Sequence, residues 1–148
     1  MNAFFSLRRI AVVAALALLG LAWPVSAAQA GDFQVRGTFA LSAAPGNHLE
    51  GTLSGRAKPG GKFTGTVSGI QNGTGGGKAV NVLDFGGGDT LTYAIAWERD
   101  DATGLLVGTY VITDGTGTLA EASGSGSLIV APAGDGTGTF ELAGTLSF

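Results

Sequence analysis

The feature that most constrains this chain is a strict alternation of apolar and polar residues, which recurs in short runs after residue 30. The clearest run spans 90–99, where every second residue is large and apolar or aromatic: Leu91, Tyr93, Ile95 and Trp97. Period-two alternation is typical of a β-strand that buries one face. No segment after residue 30 has a sustained helical period. The pattern therefore predicts an all-β domain.

Glycine-rich or Pro-Gly clusters separate these runs and predict turns between them. About eight strands result, at 32–41, 48–56, 62–70, 79–85, 90–99, 105–113, 118–130 and 138–148. Several strands carry an internal glycine within a Gly-Thr-apolar triplet: Gly37, Gly51, Gly65, Gly108 and Gly144. Repeated glycine inside strands suits the bends of a small antiparallel barrel better than a sandwich. In the fourth strand, a phase shift at Leu83 and Asp84 predicts a β-bulge.

The first 30 residues predict a helical, cleavable export signal. Arg8 and Arg9 precede an apolar run at 10–21, and Pro24 and small residues follow. Both Ser-Ala-Ala and Ala-Gln-Ala fit a small-x-small cleavage site, so cleavage is expected after Ala28 or Ala30. The apolar run is short for a permanent span, which needs about 20 residues. We therefore expect a signal peptide at 1–30, a barrel domain at 31–148, a secreted or periplasmic location, and no membrane attachment after cleavage.

Composition excludes several classes of function. The 148-residue chain contains no cysteine, which rules out disulfides and thiolate sites. Residues 31–148 hold six basic and eleven acidic side chains, a net charge of −5, and the basic residues are isolated. Nucleic-acid binding requires a basic face, so it is not expected. The sequence contains no motif that predicts a metal or a cofactor.

The segment at 110–128, Tyr-Val-Ile-Thr-Asp-Gly-Thr-Gly-Thr-Leu-Ala-Glu-Ala-Ser-Gly-Ser-Gly-Ser-Leu, resembles the Gly-Gly-Thr-Gly-x-Phe-x-x-Ala-x-Gly motif of the allene oxide cyclase/dirigent barrel superfamily, whose bacterial exported members carry a close version. Asp114 replaces the first glycine of the motif and Leu119 replaces the phenylalanine. The resemblance covers 90–148 best. It implies a barrel, association into a homo-oligomer, and cyclase or isomerase chemistry as one activity. The family's catalytic carboxylates have no clear counterpart here.

Three aromatic residues, Tyr93, Trp97 and Tyr110, are the candidate ligand-binding residues. If their face lines the barrel, they flank a small hydrophobic ligand; the alternative is ordinary core packing. Few charged residues lie inside predicted strands, and among Glu50, Glu98, Glu121 and Glu141 the best catalytic candidate is Glu121, in the family-like segment.

Three functions stay open: a ligand-binding barrel, a structural or surface-interaction protein, and an enzyme. The first two rank above the third. An interior glutamate beside tyrosine or tryptophan would favour the enzyme. A filled lumen would favour a structural role, and an open apolar lumen would favour binding.

Overall fold

A computed structural model describes residues 30–148, and the predicted signal peptide and its cleavage sites lie almost entirely outside them. The described chain forms eight strands: β1 Gly31–Ser42, β2 His48–Lys58, β3 Gly61–Gln71, β4 Gly77–Asp84, β5 Thr90–Arg99, β6 Leu106–Gly115, β7 Ser125–Pro132 and β8 Thr137–Leu146. Each strand pairs antiparallel with its neighbours in sequence, and β8 pairs with β1. The predicted small antiparallel barrel is confirmed.

The simple strand order gives the barrel two distinct ends. The end we call the open end carries the β1–β2, β3–β4, β5–β6 and β7–β8 connections. The opposite, plugged end carries the other three connections and the outer limits of β1 and β8, at Gly31 and Leu146. Closure leaves no free strand edge among residues 30–148.

Two local predictions were wrong. β4 keeps its alternation through Asp84, so there is no bulge at Leu83–Asp84. The register shift lies instead between β5 and β6, at Thr92/Tyr93, where Thr113 is the extra residue. The seventh strand begins at Ser125 rather than at residue 118, because Gly117–Leu119 forms a turn of 3₁₀ helix.

The inward face of the barrel consists of the alternating apolar residues together with most of the strand glycines. Several glycines lie directly beneath an aromatic ring on a neighbouring strand. A Cβ on Gly37 would collide with Phe140, one on Gly138 with Phe39, and one on Gly77 with Trp97. These glycines therefore make room for large rings in a narrow barrel, which explains why glycine occurs at these inward strand positions.

Burial differs between the two ends. Phe33, Val35, Leu83 and Leu91 are completely buried toward the plugged end. Inward residues nearest the open end are only half-buried: Phe39, Leu41, Leu49, Leu106 and Val130. Among residues 30–148, no helix has the length and apolarity needed to cross a membrane.

Candidate functional site

The open end contains an apolar cavity of about 80 Å³. Eleven of its twelve lining residues are hydrophobic: Phe39, Leu41, Leu49, Leu53, Val67, Ile95, Trp97, Leu106, Leu128, Val130 and Phe140. The twelfth is Asn81. Since the outermost lining residues are half-buried, the cavity lies beneath the rim of the barrel rather than deep in the core. A liquid water occupies about 30 Å³, so the space suits a short alkyl group or a similarly small molecule.

Asn81 is the one buried polar or charged residue in the described chain, with 4% of its surface exposed. It faces Tyr93 across the β4–β5 ladder. Its Nδ2 donates a hydrogen bond to the Tyr93 hydroxyl oxygen at 3.1 Å. Its Oδ1 is buried and has no hydrogen-bond partner in the protein. Such an atom normally costs stability unless a water molecule or a ligand pairs with it, and it belongs to a residue of the cavity wall.

Tyr93 belongs to a buried aromatic layer in the barrel core. Its ring lies edge-on to Tyr110, with 6.1 Å between centroids, and Tyr110 lies edge-on to Phe33 at the same separation. The Tyr110 hydroxyl donates to the Thr145 carbonyl oxygen at 3.3 Å. Burial raises the pKa of both tyrosines above the usual value, despite the opposing hydrogen bonds. Both phenols are neutral at physiological pH.

Trp97 forms part of the cavity wall near the rim, and a loop fixes its orientation. Its Nε1 donates to the Gly75 carbonyl oxygen at 3.1 Å. Asn72 organises that loop, because its Oδ1 accepts from the backbone N–H groups of Thr74 and Gly76, each at 3.0 Å. Gly77 lies under the indole ring. The β3–β4 connection therefore holds the tryptophan in place against the cavity.

The structure separates the three aromatic candidates. Trp97 lines the cavity directly. Tyr93 does not line it but hydrogen-bonds the cavity residue Asn81. Tyr110 is completely buried one layer further in, where it packs against Tyr93 and Phe33. Trp97 thus lines the cavity, Tyr93 holds Asn81, and Tyr110 packs in the core. The three side chains do not form one binding surface.

The glutamates lie elsewhere. Glu121 is exposed in the β6–β7 connection at the plugged end, away from the cavity. Glu50, Glu98 and Glu141 are also exposed. No carboxylate lines the cavity in the described part of the chain.

Sequence reasoning missed Asn81. It lies between Ala79 and Leu83 in the inward phase of β4, so a polar residue in an apolar register was visible in the sequence.

The plugged end is filled by its connections. Phe85 lies edge-on to Phe63, with 6.0 Å between ring centroids, and Leu119 packs against the core. The Asp89 carboxylate accepts a hydrogen bond from the backbone N–H of Thr118 at 2.9 Å, and this bond joins the β4–β5 and β6–β7 connections. Gly117, with φ of +62°, supplies the left-handed residue that this turn requires. The family-like segment therefore closes one end of the barrel.

A second crevice of about 140 Å³ lies between these connections, beside Phe85, Leu119 and Phe148. Its one charged lining residue is Asp89, which Thr118 already engages. This space lies between packed loops and has no buried polar atom without a partner, unlike the cavity at Asn81. The cavity at the open end is therefore the better candidate site.

Across residues 30–148, no three acidic or histidine side chains come together in a way that suits a metal ion. The chain matches no family model, no curated protein and no solved structure.

Proposed function

We propose that this protein is an exported β-barrel that binds a small hydrophobic molecule in the cavity at its open end. The observation that carries the proposal is the composition of the cavity wall, which is apolar except for Asn81. A preformed apolar recess with very few polar groups is the usual form of a small-molecule site. Its volume of about 80 Å³ indicates that the buried part of the ligand is short.

The distribution of carboxylates favours binding over catalysis. General acid–base chemistry needs a titratable group within hydrogen-bond reach of the substrate. All four glutamates are exposed, and the cavity wall in the described chain is uncharged. The neutral Tyr93 is engaged by Asn81. Holding a molecule is therefore the activity for which the cavity is best suited.

Incomplete filling favours binding over a purely structural role. A barrel of eight strands has an interior just large enough to be filled by side chains or to hold one ligand. The plugged end follows the first pattern in its interior, where Phe33 and Leu91 are completely buried and the crevice lies between them and the connections. The open end follows the second, because half-buried Leu49 and Leu106 surround empty space.

Export is the second part of the proposal and is supported by the sequence of the first 30 residues, with its Arg-Arg pair, apolar run and small-x-small sites. Kinship with the allene oxide cyclase/dirigent superfamily and assembly into a homo-oligomer remain predictions that rest on the segment at 110–128. An exposed apolar strip on the outer face, which includes Val80 and Val111, is a suitable surface for such assembly.

Native mass spectrometry of the protein from the exported fraction of its host tests these points together. We expect a protein mass that corresponds to cleavage after Ala28 or Ala30, with an additional dissociable small-molecule mass. The same spectrum gives the number of subunits. An unprocessed mass would contradict export, and a monomer would contradict the homo-oligomer.

Two matched variants test the site itself. Val67→Phe adds four carbons at a half-buried position in the cavity wall, and Val111→Phe adds the same four carbons on the outer face. We expect the first variant to lose the bound mass and the second to retain it. Retention by both variants would place the ligand elsewhere. A bare native protein that also fails to bind 1-pentanol would refute the binding function.

A further inference from the structure

The geometry points to a ligand that carries an uncharged hydroxyl group at its inner end, which donates a hydrogen bond to Asn81 Oδ1. This inference rests on the proposed binding function and adds the chemical class of the ligand. Its starting point is the one buried side-chain polar atom in the described chain that has no hydrogen-bond partner.

The polarity of the free atom decides what the ligand must offer. Asn81 uses its amide nitrogen to donate to the Tyr93 oxygen, which leaves the carbonyl oxygen Oδ1 as the free group. A carbonyl oxygen only accepts hydrogen bonds. Ethers, ketones and hydrocarbons therefore leave Oδ1 unpaired, whereas a hydroxyl group satisfies it. A buried group left unpaired lowers affinity strongly, which makes this contact a source of specificity.

The surroundings exclude a charged ligand group at this depth. The other lining residues are apolar, so no cation or anion of the protein compensates a charge on the ligand. The neighbouring Tyr93 responds to the same environment, since burial raises its pKa and keeps it neutral. An ammonium or a carboxylate would therefore be disfavoured at the inner end, and a neutral donor is required.

The volume of the cavity favours a hydroxyl group over larger neutral hydrogen-bond donors. The cavity of about 80 Å³ must hold the donor together with the apolar group that follows it. A hydroxyl adds a single heavy atom, whereas a primary amide adds three. A short aliphatic alcohol, or the alcohol end of a longer chain that leaves through the rim between Leu49 and Leu106, fits these limits.

Two isomeric probes isolate the hydroxyl. 1-Pentanol and butyl methyl ether have the same atoms and similar hydrophobicity, but only the alcohol donates a hydrogen bond. Trp97 reports binding through its fluorescence, because it lines the cavity and is the sole tryptophan after residue 30. We expect the alcohol to bind at least about tenfold more tightly than the ether, as a buried donor–acceptor pair requires.

Asn81→Leu shows whether that preference comes from Oδ1. This variant replaces the amide by an apolar group of similar size, and we expect the two probes to bind it within about twofold of each other. Asn81→Leu/Tyr93→Phe removes both partners of the buried hydrogen bond and guards against a folding defect in the single variant. Asn47→Leu, at an exposed asparagine in a loop of the same end, is the matched control and keeps the tenfold preference.

The outcomes separate the two levels of the proposal. Equal binding of both probes to the native protein overturns the hydroxyl inference but leaves apolar ligand binding intact. A preference for the alcohol that persists in both Asn81 variants also overturns it, because the hydroxyl would then point to solvent. Failure of both probes to bind the native protein overturns the inference together with the proposed function.

Discussion

The two ends of the barrel are built from the same kind of strand, yet they differ in whether connections cover the interior. At the plugged end, aromatic rings and the β4–β5 and β6–β7 connections cover the interior, and Phe33 and Tyr110 are completely buried. At the open end, Phe39 and Leu49 surround a cavity whose wall includes Asn81, the residue with the unpaired Oδ1. The comparison predicts that stability depends mainly on the plugged half of the domain, whereas the proposed binding site lies in the open half.

The largest effect that tests this division is a matched truncation at each end. Leu83 is completely buried, whereas Leu49 is half-buried beside the cavity. We expect Leu83→Ala to lower the free energy of unfolding by about 3 kcal/mol, because it removes packed atoms and leaves a void, and Leu49→Ala to lower it by about 1 kcal/mol. Urea unfolding followed by circular dichroism gives both values. Equal losses would break the comparison.

A second pair of variants tests the close packing around the aromatic layer. A Cβ on Gly144 would overlap the Ser125 carbonyl oxygen and press on the Tyr110 hydroxyl. Gly144→Ala should therefore lower the free energy of unfolding by about 2 kcal/mol. Gly73→Ala, in the β3–β4 loop at the open end, meets nothing within 4 Å and should change it by less than about 0.5 kcal/mol. Thermal unfolding of both variants provides the test, and a tolerated Gly144→Ala would show that the plugged half is loosely packed.

The third prediction concerns alkaline pH. Burial raises the pKa of Tyr93 in the folded state, so the folded protein holds this proton more tightly than the unfolded chain. The stability contributed by the neutral phenol is complete below the ordinary tyrosine pKa of about 10 and is lost as pH rises above it. At pH 11 the loss from Tyr93 is on the order of 1 kcal/mol.

The Tyr93→Phe variant supplies the control for this pH dependence. It lacks the titrating phenol, so its free energy of unfolding should fall less between pH 8 and pH 11 than that of the native protein. Groups that do not interact with Tyr93 titrate alike in both proteins and cancel in the difference. Parallel pH profiles would mean that Tyr93 is hydrated, which would contradict its burial in the aromatic layer.

The smallest change in the free energy of unfolding is expected when the hydrogen-bonded pair Asn81–Tyr93 is replaced. Asn81→Leu/Tyr93→Phe removes the unpaired Oδ1 and its neighbours together, and replacing both partners by apolar groups of similar shape is near neutral or stabilising. We expect the free energy of unfolding to rise by up to about 1 kcal/mol while the preference for alcohol over ether disappears. A loss of more than 2 kcal/mol in urea unfolding would instead assign the pair a structural role.

The candidate site was only partly predictable. Trp97 was recognised from its position on an apolar strand face, and it does line the cavity. The same argument grouped Tyr110 with it, although Tyr110 lies one layer deeper. Alternation tells which face a residue occupies but not how far along the barrel axis it lies. That depth depends on register between strands, and the β5–β6 shift at Thr92/Tyr93 was not predicted.

What the sequence determined by itself is the class of fold: period-two patterning and punctuating glycines specify antiparallel strands with one apolar face, because these are local properties of the backbone. Only the tertiary structure decided which end is filled and which is open. The Asn81–Tyr93 hydrogen bond likewise depends on the register of the β4–β5 pairing. Local patterning specifies neither that register nor the closure of the barrel, because both depend on contacts between strands.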